Sequence, residues 1–319
     1  MTAIIEIENL TKRYGLRTAV EGLSLTVQQG DIFGFVGPNG AGKTTTIRVL
    51  TTLMKPSSGE ARVAGYSAIR QPQHVRKLVG YMPDFFGVYN DLKVWEYLDF
   101  FANCYRVPTE QRAALINDLL ELVDLAHRRE DFVDDLSRGM KQRLSLARTL
   151  VHDPQVIVLD EPASGLDPRA RIEIRELMVA LANMGKTIFF STHILADVAQ
   201  ICSRVCIIEA GKLVVSGPIE TLRQQLVAQR LLEITLLGEN EQSARDLLGA
   251  QIGVGAVQSK RSNGEQPRVI LQVEFSGDDQ ATAALLQTLV QNNLPVLRFN
   301  ENTRDLEDVF LRATKGIVS

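Results

Sequence analysis

The run Gly37-Pro38-Asn39-Gly40-Ala41-Gly42-Lys43-Thr44 constrains this chain more than any other feature, because it fits the spacing G-x-x-x-x-G-K-(S/T) and has matching context on both sides. Asp31 to Gly37 reads as an apolar strand before it, and Thr45 to Leu53 as a helix after it. Glycines let successive backbone N–H groups turn inward around phosphate oxygens, and the helix N-terminus adds a positive dipole. Lys43 brings a compact charge to β and γ phosphates, and Thr44 offers a hydroxyl to Mg²⁺. The competing reading is an accidental glycine turn. An apolar strand and a helix at the two ends of the run argue against it, so the loop predicts nucleotide binding.

The surrounding pattern is α/β. Ile4 to Ile7, Val156 to Asp160, Thr187 to Ser191 and Val205 to Glu209 read as further strands, several continuously apolar, as strands buried on both faces of a parallel sheet must be. Helical periodicity marks Arg112 to Leu125, Gly139 to Val151 and Arg169 to Asn183. The length, 319 residues, suits two domains, and 45% hydrophobic with 23% charged residues excludes a disordered or collagen-like chain. Basic and acidic residues balance up to Gly217, so the net charge of −3 arises beyond it and no basic field favours nucleic acid. No apolar run approaches the ~18 residues of a membrane helix. Glu6 and Glu8 near the start argue against a signal peptide. The three cysteines, Cys104, Cys202 and Cys206, lack C-x-x-C spacing and read as reduced core thiols of a cytoplasmic protein.

At Gly217-Pro218 the pattern changes. After a short helix around Leu222 to Val227, Leu231–Leu237, Val254–Gln258, Val269–Phe275 and Pro295–Phe299 read as strands. Gln242–Leu248 and Gln280–Gln291 read as helices among them. That order, βαββαβ, predicts a small ferredoxin-like α+β domain with a final helix over Leu306 to Ala313. It carries no phosphate loop, metal cluster or nucleophile constellation, which suggests a regulatory or dimer-forming role. The expected division is therefore 1–218, with a helical subdomain over about 85–150, and 219–319.

Val156 to Asp160 continues into Glu161, so a buried strand ends in two carboxylates, where an α/β sheet presents ligand-binding residues. Asp160 can hold a hydrated Mg²⁺. If strand geometry persists, Glu161 points elsewhere and either accepts a proton from an attacking water or caps the segment after it. Leu136-Ser137-Arg138-Gly139-Met140-Lys141-Gln142-Arg143 offers Ser137 and Gly139 at a helix N-terminus, a second anion site. On spacing alone it is equally an ordinary capped helix with Arg138, Lys141, Arg143 and Arg148 as its solvated face.

Taken in order, these motifs resemble an ATP-binding cassette (ABC) ATPase, over about residues 3–217. The resemblance implies a P-loop ATPase fold with a helical subdomain, and ATP and Mg²⁺ as ligands. Gly37 to Thr44 with Thr45 would cradle phosphate. Thr44, Asp84 and Asp160 would face the metal, and Glu161 and His193 would be the catalytic base and the switch histidine. Ser164-Gly165-Leu166-Asp167 resembles the dimer-contact loop, whose plainer reading is a turn before the Pro168 helix. Ser137 and Gly139 would serve the nucleotide of a second copy, and Tyr14 would stack on adenine, although a tyrosine near a strand end is often simply packed.

The chain departs from the family pattern at Asp84, where glutamine is usual, at Arg138, where glycine is usual, and at Met140, where glutamine is usual. Asp84 keeps an oxygen for a metal and loses the amide donor. Tyr81, Phe85, Phe86, Tyr89, Trp95, Tyr97, Phe100, Phe101 and Tyr105 crowd one segment, which reads partly as core and partly as a groove for an apolar partner helix. In ABC transporters that region receives a helix of the transmembrane permease subunit. The wording of Gly80-Tyr81-Met82-Pro83-Asp84, of Leu136 to Arg143 and of Asp305 to Leu311 is similar to the branch whose ATPase subunits drive drug, lipid, polysaccharide or ion exporters. The resemblance places the chain peripherally on the cytoplasmic face of a membrane, as a dimer. A second class is a soluble ABC ATPase acting on nucleic acid or ribosomes. It is disfavoured because no sustained heptads separate Lys43 from Asp160 and only one phosphate loop is present. A nucleotide kinase would need neither Ser137-Arg138-Gly139 nor His193.

Overall fold

The structure, a computed structural model, describes residues 2–85, 87, 91–222, 230–238, 240–262 and 268–302. Its chain contacts separate into two compact units, one running through Ile219 and the other Glu220–Arg312. The expected helices over Leu222 to Val227 and Leu306 to Ala313 lie outside the described residues, apart from Leu222 itself, as do Phe86 and Tyr89.

In the first unit an antiparallel sheet combines β1 (Ala3–Tyr14), β2 (Arg17–Gln28), β4 (Ser58–Val63) and β5 (Tyr66–Ser67), in the order β2-β1-β4-β5. A second sheet holds β3 (Ile32–Val36), β6 (Val79–Met82), β7 (Val156–Asp160), β8 (Thr187–Thr192), β9 (Arg204–Glu209) and β10 (Lys212–Pro218). Its order is β10-β9-β3-β8-β7-β6, parallel throughout except for the edge strand β10. Every residue of β3, β7 and β8 is buried, which is why the centres of these strands read as apolar runs. Phe33 stacks on Phe189 with ring centroids 5.5 Å apart, and Phe35 lies 5.3 Å from the same ring. These rings belong to one core that also takes Ile5, Val20, Ile47 and Val63, so the two sheets share it.

Helices α1 (Lys43–Leu50), α2 (Pro72–Leu78), α3 (Val94–Cys104), α4 (Thr109–Leu122), α5 (Arg138–Leu150), α6 (Pro168–Asn183) and α7 (Leu195–Ile201) complete the unit. Helix α3, inside the expected helical subdomain though not marked by periodicity, starts where the Glu96 carboxylate accepts the Lys93 N–H at 2.9 Å. Its Tyr97 is fully buried, whereas Phe100 and Tyr105 are exposed, so the aromatic segment divides between core and surface. The basic face of α5 is solvated only in part: Arg138 is exposed and Lys141 partly so, while the other two basic residues turn inward. Arg143 is buried and donates to the Val123 carbonyl at 2.9 Å, and the Arg148 guanidinium lies 5.3 Å from the Phe101 ring centre.

The second unit has β11 (Arg230–Leu237), α8 (Glu241–Gly249), β12 (Val254–Ser262), β13 (Arg268–Phe275), α9 (Asp279–Gln291) and β14 (Val296–Asn302). Its strands pair antiparallel in the order β12-β13-β11-β14, two interleaved βαβ units with one face packed on the helices. Leu232, Ile234 and Leu236 alternate into that core with Leu271, Val273, Leu248 and Leu289.

Candidate functional site

The C-terminal ends of β3, β7 and β8 are neighbours, so the loops leaving these strands meet at one edge of the sheet. From β3 the chain runs through Gly37 to Gly42 into α1, whose first residue is Lys43, two residues before the helix expected at Thr45. Gly42 takes φ 104°, and a Cβ there would lie 2.5 Å from the Ala19 carbonyl oxygen, so only glycine fits. The loop is tied to its surroundings by Gly37 N–H donating to Thr192 O at 3.3 Å and Gly211 N–H donating to Ala41 O at 3.1 Å.

Lys43 is 6% exposed. Its ammonium donates to Gly37 O at 2.7 Å and Pro38 O at 3.2 Å and stands 3.0 Å from Glu161 Oε1. The other Glu161 oxygen, Oε2, is 2.9 Å from His193 Nδ1. Strand geometry does not persist past Asp160. Glu161 turns with φ 50°, a left-handed conformation rare outside glycine, and this swings its carboxylate toward Lys43. One hydroxyl braces the turn: Ser191 Oγ accepts the Glu161 N–H at 3.0 Å and donates to Asp160 Oδ1 at 2.6 Å. Asp160 is 1% exposed, so its carboxylate is anchored behind the cleft.

A cleft of about 430 Å³ opens over this cluster, lined by Tyr14, Arg17, Ala19, Asn39, Gly40, Gly42, Lys43, Thr44, Thr45, Asp84 and Glu161. Tyr14 is half exposed, with its hydroxyl donating to Met54 Sδ at 2.9 Å and Lys12 above its ring at 5.3 Å. Arg17 and Ala19 are additions that the motifs did not identify. They enter because β1 and β2 pair with Tyr14 opposite Arg17, a register that only the folded hairpin reveals. Ser191 was missed as well, since a serine inside an apolar strand carries no motif.

Partial desolvation, then the charges of Asp160 and Glu161, raise the Asp84 carboxyl above its ordinary value. Three carboxylates thus concentrate negative potential beside the loop, with Lys43 and Arg138 offsetting it. Among the described residues no three His, Cys, Asp or Glu side chains converge closely enough to hold a metal by themselves. A hard cation sharing its shell with water and phosphate suits this donor set of one hydroxyl and separated carboxylates. Ser137 and Gly139 do not line the cleft. They sit at the start of α5, where Ser137 Oγ accepts the Met140 N–H at 3.3 Å as the helix cap.

A second cleft of about 390 Å³ is lined by Thr51, Leu53, Arg76, Val79, Tyr81, Pro83, Phe101, Tyr105, Arg148 and Thr149. Burial pushes the Tyr81 hydroxyl up to about 12, so it stays neutral. Tyr105 stacks on His152 at 4.0 Å, and burial lowers the pKa of that imidazole, which meets the Val79 carbonyl at 3.1 Å.

Comparison with known proteins agrees with this arrangement. Residues 20–164 match the family model described as ABC transporter. The chain is 36% identical over 312 residues to the Nod factor export ATP-binding protein I of Burkholderia orbicola, covering 98% of this chain and 97% of that protein. It is also 36% identical over 316 residues to the protein of the same name in Rhizobium meliloti, covering 98% and 88%. Among solved structures, one described as the ATP-binding subunit of an ABC transporter superposes with a TM-score of 0.63 at 30% identity, over 70% of this chain and 92% of that one. A dimeric ATP-binding cassette bound to ADP and Pi shares the fold, with a TM-score of 0.62 at 23% identity over 68% of this chain and 99% of that one. Among the described residues no helix is long and apolar enough to cross a membrane. With its relatives matched almost end to end and a phosphate loop, strand-end carboxylates and histidine gathered at one sheet edge, the chain belongs to the ATP-binding, ATP-hydrolysing subunits of ABC transporters.

Proposed function

We propose that this chain powers an exporter, binding MgATP at the Lys43 cleft and hydrolysing it with Glu161 as general base. The contact sequence Lys43–Glu161–His193 carries the reading, because it puts a phosphate-binding cation, a carboxylate and a histidine in one line. Glu161 lies against Lys43, so a γ-phosphate that takes Lys43 releases the carboxylate toward an attacking water. His193 then holds Glu161 through Oε2 and faces the γ-phosphate itself. The backbone from Gly37 to Thr45 cradles the phosphates, and Tyr14 offers its ring to adenine. Thr44, Asp160 and Asp84 would hold Mg²⁺, which supplies charge neutralisation at the β and γ phosphates.

Export is supported by the names of the relatives, which are Nod factor export ATP-binding proteins. The dimer is supported by the dimeric cassette of the same fold and by Ser137 and Gly139 lying off the cleft, as residues serving a second copy's nucleotide would. The groove of Tyr81, Phe101 and Tyr105 supports docking of a permease helix, and in this reading the chain is peripheral on the cytoplasmic face. In this reading residues 1–218 form the ATPase domain, with a helical subdomain over 85–150, and 219–319 form an accessory domain. No nucleic acid partner is expected.

The test is nucleotide binding and phosphate release by the purified chain. Lys43→Ala should abolish ATP binding, and a variant with normal ATP affinity would remove the loop from its role.

A further inference from the structure

Helix α5 is fastened at its N-terminal half to the segment that leaves Glu161. Arg138 Nη2 donates to the Ser164 carbonyl at 3.0 Å. One turn further along, the buried amide of Gln142 donates to the Pro162 carbonyl at 2.8 Å. Between them Gly139 lies so close to α6 that a Cβ would stand 2.8 Å from that of Ala170. Gly165 takes φ 66° beneath the Arg138 guanidinium, where a Cβ would lie 2.5 Å from Nη2. The segment is itself short and closed: Ser164 N–H donates to Glu161 O at 3.1 Å, and Asp167 caps α6 through Ala170 N–H at 2.9 Å.

Two side chains from one helix therefore hold two carbonyls of a four-residue turn whose first residue is Glu161. That residue is in a left-handed conformation, which persists only where its surroundings over-determine it. Ser191 secures its N–H side. Arg138 and Gln142 secure the C-terminal side of the turn.

We propose that Arg138 and Gln142 are positioning residues for hydrolysis, holding the 161–164 turn in register with the start of α5 so that phosphate seated at Ser137 fixes Glu161 of the same chain. The proposal rests on the reading of Glu161 as base and Ser137 as the second copy's phosphate contact. It adds a route by which occupation of one nucleotide site orders the base of the other. The residue at the usual glycine position is thereby given a task that glycine cannot perform, since it requires a guanidinium reaching 3.0 Å from Ser164 O. Arg138 also offsets the Asp84 carboxylate, in keeping with a guanidinium directed to this side of the site.

The experiment compares Arg138→Gly, Arg138→Lys, Gln142→Met and Glu161→Gln, and the double variant Arg138→Gly with Glu161→Gln, in the full chain. ATP affinity, kcat and melting temperature are measured for each. Arg138→Gly and Gln142→Met should each lower kcat by about tenfold, with ATP affinity within about twofold of wild type, because a displaced reacting group lowers the rate of the chemical step while the cleft contacts remain. Arg138→Lys, which keeps a donor on a long stem, should recover part of the loss. In the double variant kcat should equal that of Glu161→Gln alone, since a residue acting through Glu161 has nothing left to position. Multiplying losses in the double variant, or an unchanged kcat in folded Arg138→Gly and Gln142→Met, would overturn the positioning role while leaving the base assignment intact. Full turnover by Glu161→Gln would remove the base assignment, and the proposal with it.

Discussion

Replacing Glu161 by glutamine removes one charge and almost no volume, and its effect on binding can be worked from the contacts. The carboxylate lies 3.0 Å from Lys43 Nζ, with side-chain exposures of 6% for Lys43 and 11% for Glu161. Two unit charges 3.0 Å apart attract by about 5.5 kcal/mol at an effective dielectric of about 20. Desolvation of both groups takes back most of that attraction, so the net hold of Glu161 on Lys43 is about 1–2 kcal/mol. ATP must displace this carboxylate to reach Lys43. Glutamine holds Lys43 only through a neutral carbonyl, so ATP affinity should rise by about tenfold, the equivalent of roughly 1.4 kcal/mol. Turnover should fall by about 10²–10⁴, the range for loss of a general base. The turn itself should survive, because its N–H is held by Ser191 Oγ and not by the side chain. Fluorescent-nucleotide titration gives the affinity, single-turnover phosphate release gives the rate, and light scattering detects the ATP-bound dimer that should accumulate. Weaker ATP binding in Glu161→Gln would refute the competition for Lys43, and an undiminished rate would refute the base.

Other outcomes are equally specific. Phe85 is 82% exposed, so Phe85→Asp should leave the melting temperature and the ATPase of the isolated chain unchanged while abolishing co-purification with a permease; retained co-purification would count against the aromatic segment from Phe85 as a permease contact. Tyr97, at 0% exposure, is the contrasting core position, and Tyr97→Asp should lower stability and activity together by several kcal/mol, roughly 3 or more, as read by thermal unfolding. The raised Asp84 carboxyl favours the folded state most when protonated, and that contribution is lost as pH rises through its folded value. Asp84→Asn should therefore raise the melting temperature of the nucleotide-free chain at neutral pH, with the gain shrinking as pH falls through the carboxylate range; a gain that grows toward acid pH would contradict the sign.

Much of the site was legible because its chemistry is written in short contiguous runs. Gly37 to Thr44 and Asp160-Glu161 each sit at the end of a strand whose burial makes it visible as an apolar stretch. The features that escaped depend on pairing or on backbone handedness. Strand β1 extends to Tyr14, far beyond the expected Ile4 to Ile7, because its second half carries polar residues with register shifts after Ile7 and Leu10. The hairpin that brings Arg17 to the cleft was hidden with it. The turn of Glu161 could not be inferred from residue type, since glutamate has no preference for positive φ. The reach of Arg138 to Ser164 joins residues 26 apart through a backbone oxygen, which leaves no side-chain signature. In the second unit the strand and helix order was readable from alternation, while the pairing order β12-β13-β11-β14 required the fold itself.

The position of β8 bears on how the chain is made. β3 is synthesised early, yet its sheet neighbours are β8 and β9, and the former begins only at Thr187. β8 also separates β3 from β7, so the phosphate loop and the carboxylate pair have no direct strand contact until it slots between them. A nascent chain that has emerged through Asp160 therefore carries both halves of the ATP site without the strand that sets them in one sheet. At roughly 5–20 residues per second, the ribosome leaves that intermediate waiting for seconds with the apolar edges of β3 and β7 unpaired. Nucleotide can assist folding only after Thr192 has left the exit tunnel, and truncations ending before β8 should be captured by chaperones whatever the ATP concentration.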